Sequence, residues 1–167
     1  MHGIRTARRP SARWLLALVL APAFLLAMPG VSNASAPTPN YRLAQVFPNP
    51  GFLLSQWPGV FDAGDCELDG TDTWAQLERP IADNDFTSFV NWHAIGLTRH
   101  TNNADVWYAT FNYLDHLGNI ILTVGPLRGG RMTIANRRYE WLTRSGEFHL
   151  DPAIYNQIVS VQWKGEC

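Results

Sequence analysis

Histidines are the residues of this 167-residue chain most able to do acid–base chemistry. Beyond the N-terminal region they are His93, His100, His116 and His149. A small secreted hydrolase of the ribonuclease kind needs only a histidine, a carboxylate and an arginine brought together in space. His116 with Glu140 and Arg138 could form such a group on a β-sheet. His149 with Glu147 is the other candidate pair. None of the histidines has the close spacing of a zinc site, and no nucleophile-elbow or phosphate-loop motif occurs.

Acidic residues are concentrated between positions 62 and 72. The run Asp65-x-Glu67-x-Asp69-Gly70 has the spacing of the first half of a calcium loop. The twelfth position, where such a loop carries a bidentate glutamate, is Gln76 here. Cys66 also interrupts the run. We therefore interpret the stretch as a solvated acidic turn and predict neither a metal nor a cofactor.

A row of polar and aromatic residues is the candidate binding site. Tyr108, Thr110 and Asn112 occupy alternate positions of a predicted strand and are expected to point outward. Aromatic stacking and hydrogen bonding suit a carbohydrate or a protein surface. Arginines follow the row, and they would orient the ligand, bind an anionic one, or simply keep a strand edge soluble. The predicted binding residues are Tyr108, Thr110, Asn112, Arg128, Arg131, Arg137 and Arg138; no catalytic residue is predicted.

The stretch 105–127 is the element that positions this row. Residues 106–113 alternate, so that Trp107, Phe111 and Tyr113 form the better core face. The turn chemistry of 115–119 and the apolar run 120–124 then predict a hairpin. About seven or eight such short strands, separated by turn signals, indicate a sandwich or a barrel.

Three further segments carry local predictions. A strand is expected at 88–98, with a bulge near Gly96 to bring its apolar residues onto one face. Residues 52–61 read either as an edge strand or as a packed loop. Asp151 followed by Pro152 predicts one helical turn, because Asp is a good N-cap and Pro fits the first helical position.

The hairpin also carries a resemblance to a known family. Phe111-Asn112-Tyr113-Leu114-Asp115, followed by Gly118-Asn119, resembles the F-x-L-Y-D…G element of small secreted immunoglobulin-like domains of the FxLYD type. Tyr and Leu are exchanged relative to that pattern, and Leu127-Arg128-Gly129-Gly130-Arg131 stands where those domains have a Leu-x-Pro-Gly-Glu turn. The resemblance implies a non-catalytic, immunoglobulin-like antiparallel β-sandwich of the cell envelope, with no catalytic residues to carry over.

The N-terminal region predicts export. Residues 1–34 combine four arginines, an apolar stretch and small residues before a cleavage site near Ala34, which is the pattern of a signal peptide. Four prolines between 35 and 51 then favour an extended linker or arm, and 52–167 would form one β-sandwich domain. Cleavage leaves nine basic against fourteen acidic residues, a net charge of about −5, which argues against a nucleic-acid partner.

Cys66 and Cys167 are the only cysteines. In an exported chain an even pair predicts a disulfide, here one that closes a loop of about 100 residues. The predicted function is an exported, non-catalytic binding domain, secreted or in the periplasm or cell envelope, whose partner is a protein or a glycan. The alternatives are the small hydrolase described above and an inhibitor of a secreted enzyme.

Overall fold

The protein is an all-β domain in its computed structural model, which describes residues 40–56, 59–100 and 104–167. The strands are β1 (Asn40–Pro48), β2 (Phe52–Gln56), β3 (Val60–Ala63), β4 (Cys66–Glu78), β5 (Thr87–Ser88), β6 (Val90–Thr98), β7 (Asp105–Leu114), β8 (Ile120–Met132), β9 (Tyr139–Arg144), β10 (Phe148–His149) and β11 (Ser160–Glu166). One short helix, α1 (Pro152–Tyr155), and one 3-10 turn (Ala82–Asn84) accompany them. Every ladder is antiparallel, so the predicted fold class is confirmed.

The ladders form two layers that share β1. Residues 40–45 of β1 pair with β11, which places β1 beside the order β8-β7-β11 in the first layer. Residues 46–48 pair with β2 and begin the second layer, β1-β2-β4-β6-β9, with β3 beside β4. The chain therefore crosses from one layer to the other within a single strand, as in a sandwich whose sheets are joined at a corner.

Aromatic side chains fill the space between the layers. Phe111 of β7 meets Trp92 of β6 across the core, with ring centroids 6.2 Å apart. Phe61 of β3 meets Trp107 of β7 at 5.6 Å. Trp107, Phe111 and Tyr113 are all buried, as the alternation of β7 predicts. The inward face of the central hairpin was therefore assigned correctly.

The far edges of the two layers, β8 and β9, come close enough that the sandwich is nearly a barrel. The Thr143 hydroxyl of β9 donates a hydrogen bond to the Arg128 carbonyl of β8 at 2.9 Å. Trp141 lies directly over Gly129, where a Cβ atom would stand only 2.7 Å from the indole ring. The glycine thus allows the edge of β8 to approach the indole.

The segment 35–51, expected to be a linker or arm, requires correction. Its residues 40–48 are β1, paired on one side with β11 and on the other with β2. Ala44 is buried and Val46 half-buried, so the strand contributes to the core. The prediction of a linker was based on the prolines of this segment. Pro48 is the last residue of β1, so it ends the strand and does not interrupt it. The domain therefore includes residues before 52, whereas the predicted signal peptide 1–34 lies outside the described residues.

The strand at 88–98 also differs from expectation. β6 alternates without interruption and buries Val90, Trp92, Ala94, Gly96 and Thr98. The bulge lies instead in the neighbouring β4, where the register shifts between Asp69 and Trp74.

In the ambiguous segment, residues 52–56 form β2 and β3 begins at Val60. The predicted helical turn is confirmed, since Asp151 caps α1 by accepting a hydrogen bond from the Ala153 amide at 2.7 Å.

Cys66 and Cys167 form the predicted disulfide. Cys66 is fully buried at the start of β4, and Cys167 directly follows β11. Because β4 belongs to the second layer and β11 to the first, the cross-link joins the two layers.

Candidate functional site

The predicted row lies on the outer surface of the first layer. Trp107, Ala109 and Phe111 are buried, so the residues between them in β7 face outward. Tyr108 is 38% exposed, and Thr110 and Asn112 are partly exposed. The structure therefore places these three residues as the alternation of β7 predicts.

Neighbouring strands complete the surface around the row. Tyr108 stands opposite Arg128 of β8 and Glu166 of β11. Thr110 stands opposite Lys164 of β11. Directly paired side chains on one face of a sheet are about 5 Å apart, so each row residue has a polar neighbour within reach.

Asn112 is the middle of a chain of side-chain hydrogen bonds across three strands. The Thr123 hydroxyl of β8 donates to the Asn112 amide oxygen at 2.9 Å. The Asn112 amide nitrogen donates in turn to the Gln162 amide oxygen of β11 at 3.1 Å. Within the part of the chain that the structure describes, the Gln162 amide nitrogen makes no hydrogen bond. The chain thus fixes the orientation of both amides on the partly exposed outer surface of the layer.

β1 adds exposed apolar residues that the sequence did not reveal as part of the site. Tyr41 is 45% exposed and stands opposite Lys164. Leu43 is 65% exposed and stands opposite Gln162. The sequence predicts an arm at these positions, and only the β1–β11 ladder places them beside β11, one strand away from β7. We call the assembled surface the tyrosine face; it consists of Tyr41, Leu43, Tyr108, Thr110, Asn112, Thr123, Gln162, Lys164 and Glu166.

The charge at the centre of this face is balanced locally. Lys164 forms an ion pair with Glu166, two residues along the same strand. The hydrogen bond to Glu166 raises the pKa of Lys164 above its ordinary value. The lysine therefore stays protonated at physiological pH, and its positive charge is offset by the adjacent carboxylate.

The predicted arginine group is divided by the fold. Arg128 and Arg131 stand opposite Tyr108 and Val106 along the β7–β8 ladder. Arg137 lies against the Tyr139 ring, 5.5 Å from its centroid. Arg138 binds Asp69 of β4, on the outer surface of the second layer. The predicted set is thus corrected, because Arg138 is engaged elsewhere and is not part of the tyrosine face.

The predicted histidine groupings do not form. His116 lies exposed in the turn between β7 and β8, whereas Glu140 binds His93. The Nδ1 atom of His149 is 2.8 Å from the Asp85 carbonyl oxygen. Its expected partner, Glu147, pairs with Arg144 at 3.0 Å.

His93 is the histidine with the fullest set of contacts. Its Nδ1 atom is 2.6 Å from the Asp72 carbonyl oxygen, and its Nε2 atom is 2.8 Å from a Glu140 carboxylate oxygen. Each ring nitrogen thus lies within hydrogen-bonding distance of an oxygen atom. The ring also stacks on Trp74 of β4, with centroids 5.3 Å apart. Neither nitrogen is free to take a proton from a substrate, and the group instead connects β4, β6 and β9.

Three of the five carboxylates in the acidic stretch 62–72 bind arginine. Arg99 binds Asp62 and Glu67, each at 2.7 Å. Hydrogen bonds from Thr71 and the nearby Arg138 lower the pKa of Asp69. Over residues 40–56, 59–100 and 104–167, no group of three or more His, Cys, Asp or Glu side chains is arranged to hold a metal ion.

The comparisons with known proteins complete the description. No helix among the described residues is both long and apolar enough to cross a membrane. The chain matches no protein-family model, no curated protein and no solved structure.

Proposed function

We propose that this protein is an exported, non-catalytic domain that binds a ligand outside the cytoplasm through the tyrosine face. The observation that carries the proposal is the arrangement of that face: exposed Tyr41 and Tyr108 flank a polar centre whose amides are already oriented by hydrogen bonds. Single exposed apolar residues are ordinary on a protein surface. Two exposed tyrosines on either side of hydrogen-bonding groups that are already oriented are typical of a binding surface.

Export is supported by the leader pattern of residues 1–34 and by the Cys66–Cys167 disulfide. Disulfides form and persist in oxidising compartments, which include the periplasm and the extracellular space. The proposed location is therefore the cell envelope or the surrounding medium.

The non-catalytic part of the proposal is supported by the fate of the candidate acid–base groups. Neither His116 nor His149 lies with its predicted carboxylate, and both nitrogens of His93 are occupied. A histidine that acts as a general base needs one unprotonated nitrogen within hydrogen-bonding reach of the substrate proton.

The test measures binding of the exported protein, purified from the medium, to envelope polysaccharide and envelope protein of the cells that produce it. The double change Tyr108→Ala with Asn112→Ala is expected to weaken binding at least tenfold, because it removes one stacking ring and the middle of the amide chain. Arg138→Ala is the control, since this residue lies on the other layer, and it should leave binding unchanged.

Thermal midpoints of the three proteins should agree within a few degrees, which shows that the variants are folded. Equal binding by the wild type and the double variant would contradict the proposed face. Cleavage of RNA or glycan that His116→Ala or His149→Ala abolishes would replace the binding function with an enzymatic one.

A further inference from the structure

The centre of the tyrosine face is polar, and apolar side chains lie at two of its margins. Tyr41 and Leu43 lie on its β1 side and Tyr108 at one end of its β7 row. Between them lie Thr110, Lys164 and the hydrogen-bonded amides of Asn112 and Gln162, whereas Arg128 and Thr123 form the β8 side. Protein–protein interfaces have the opposite anatomy, with an apolar or aromatic core inside a polar rim that excludes water. The distribution on this face therefore suits a ligand that is itself polar along its length and apolar at intervals.

The ladder register gives the separation of the two tyrosines. Tyr108 pairs with Glu166, and Tyr41 pairs with Lys164, two residues away on the same intervening strand β11. Two strand spacings of nearly 5 Å, combined with a shift of two residues, place the Cα atoms of the two tyrosines about 12 Å apart. With both side chains roughly perpendicular to the sheet, this separation exceeds one sugar ring and suits a chain of several rings.

The line between the two rings passes over β11 and beside the amide chain. Lys164 and Glu166 lie under it as an ion pair, so their charges largely cancel. Thr110 and the amide of Gln162 lie to one side of it. Hydroxyl groups both donate and accept hydrogen bonds, so they can pair with all of these partners.

We propose that the tyrosine face binds a linear, uncharged glycan that runs diagonally from Tyr108 to Tyr41. The two rings stack on the apolar faces of separate sugar units, and Thr110, Gln162, Lys164 and Glu166 bind hydroxyl groups between them. Leu43 extends the apolar contact beyond Tyr41. This inference rests on the proposed function, because it names the ligand class of the same face.

The length of the glycan is the property that tests the inference. The probes are soluble gluco-, manno- and chito-oligosaccharides, each graded from disaccharide to hexasaccharide, titrated into the exported protein by calorimetry. For the series that binds, affinity is expected to rise about tenfold once the chain reaches both tyrosines and then to level off. Tyr41→Ala should remove that increase and return long chains to the affinity of short ones.

Two substitutions serve as controls. Tyr41→Phe keeps the stacking ring and should retain the length dependence. Leu142→Ala removes a residue that is 64% exposed on the outer surface of the second layer, and it should leave the affinity unchanged. Thermal midpoints establish that every variant is folded.

The possible outcomes separate this inference from the proposed function. Failure of all three oligosaccharide series to bind overturns the inference. So does an affinity that does not depend on glycan length or on the Tyr41 side chain. If an envelope protein binds through Tyr108 while no glycan does, the proposed function stands and the glycan assignment falls. If neither glycan nor protein binds in a Tyr108-dependent manner, both fall.

Discussion

Phe111 contacts aromatic side chains of both layers. Its ring is buried and meets Trp163 of the first layer edge-on, with centroids 4.9 Å apart. It meets Trp92 of the second layer in a similar geometry at 6.2 Å. Edge-to-face contacts of this kind add stabilisation beyond the burial of apolar area. The ring of Phe111 therefore contributes to both layers at once.

Replacing Phe111 by alanine is expected to lower the free energy of unfolding by roughly 3 to 5 kcal/mol, because it removes a large buried side chain and leaves a cavity. Asn112→Ala, one position along the strand, should cost only about 1 kcal/mol, since it removes hydrogen bonds on a solvent-facing surface. Urea unfolding of both variants measures the difference. Equal and small losses would show that the register of β7 is wrong.

β1 is the element whose role the sequence obscured. Prolines at 37, 39, 48 and 50 flank it, and proline-rich composition is typical of linkers. Its outward residues include Tyr41, Leu43 and Phe47, all exposed, so it lacks the polar outer face that marks a half-buried strand. Only the ladders with β11 and β2 identify it as the strand that both layers share.

The difference between local pattern and long-range pairing also explains which parts of the candidate site were predictable. Tyr108, Thr110 and Asn112 follow from local alternation, because a strand fixes the direction of each of its own side chains. Gln162 lies 50 residues from Asn112 in the chain, and its position depends on a long-range ladder. The bulge was expected in β6 for a related reason. Ile95 and Leu97 are apolar but lie on the outer face of β6, so the apolar residues of this strand do not alternate regularly along the sequence. The register shift itself lies in β4, between Asp69 and Trp74.

Ala44 tests whether β1 is structural. This residue is buried and pairs with the buried Val161 of β11, so Ala44→Asp would place an unpaired charge in the core. We expect a loss of roughly 3 kcal/mol or more in the free energy of unfolding. Gln45→Asp introduces the same charge on the exposed face of the next residue and should cost less than about 1 kcal/mol. If both variants unfold like the wild type, residues 40–48 behave as an arm and not as a strand.

At the scale of the whole molecule, one continuous core is held by three kinds of connection between the layers. β1 passes from one layer to the other, β8 and β9 meet at Thr143, and the Cys66–Cys167 disulfide joins β4 to the end of β11. The first two connections depend on packing and hydrogen bonds, which fail together when the domain unfolds. The disulfide persists in the unfolded chain, and it therefore restricts the unfolded ensemble.

Removing the disulfide is expected to be among the most destabilising changes that leave the core composition intact. Its cysteines are separated by 101 positions, for which the chain-entropy model gives about 4 to 5 kcal/mol. Cys167→Ala is the suitable variant, because Cys167 is exposed whereas Cys66 is buried and would leave a cavity if truncated. The free energy of unfolding measured by urea denaturation should fall by this amount, and reduction of the wild-type protein should lower it equally. Thiol titration of the denatured, unreduced protein should detect no free thiol. Two reactive thiols in the wild type, or a variant as stable as the oxidised protein, would contradict a structural role for the bond.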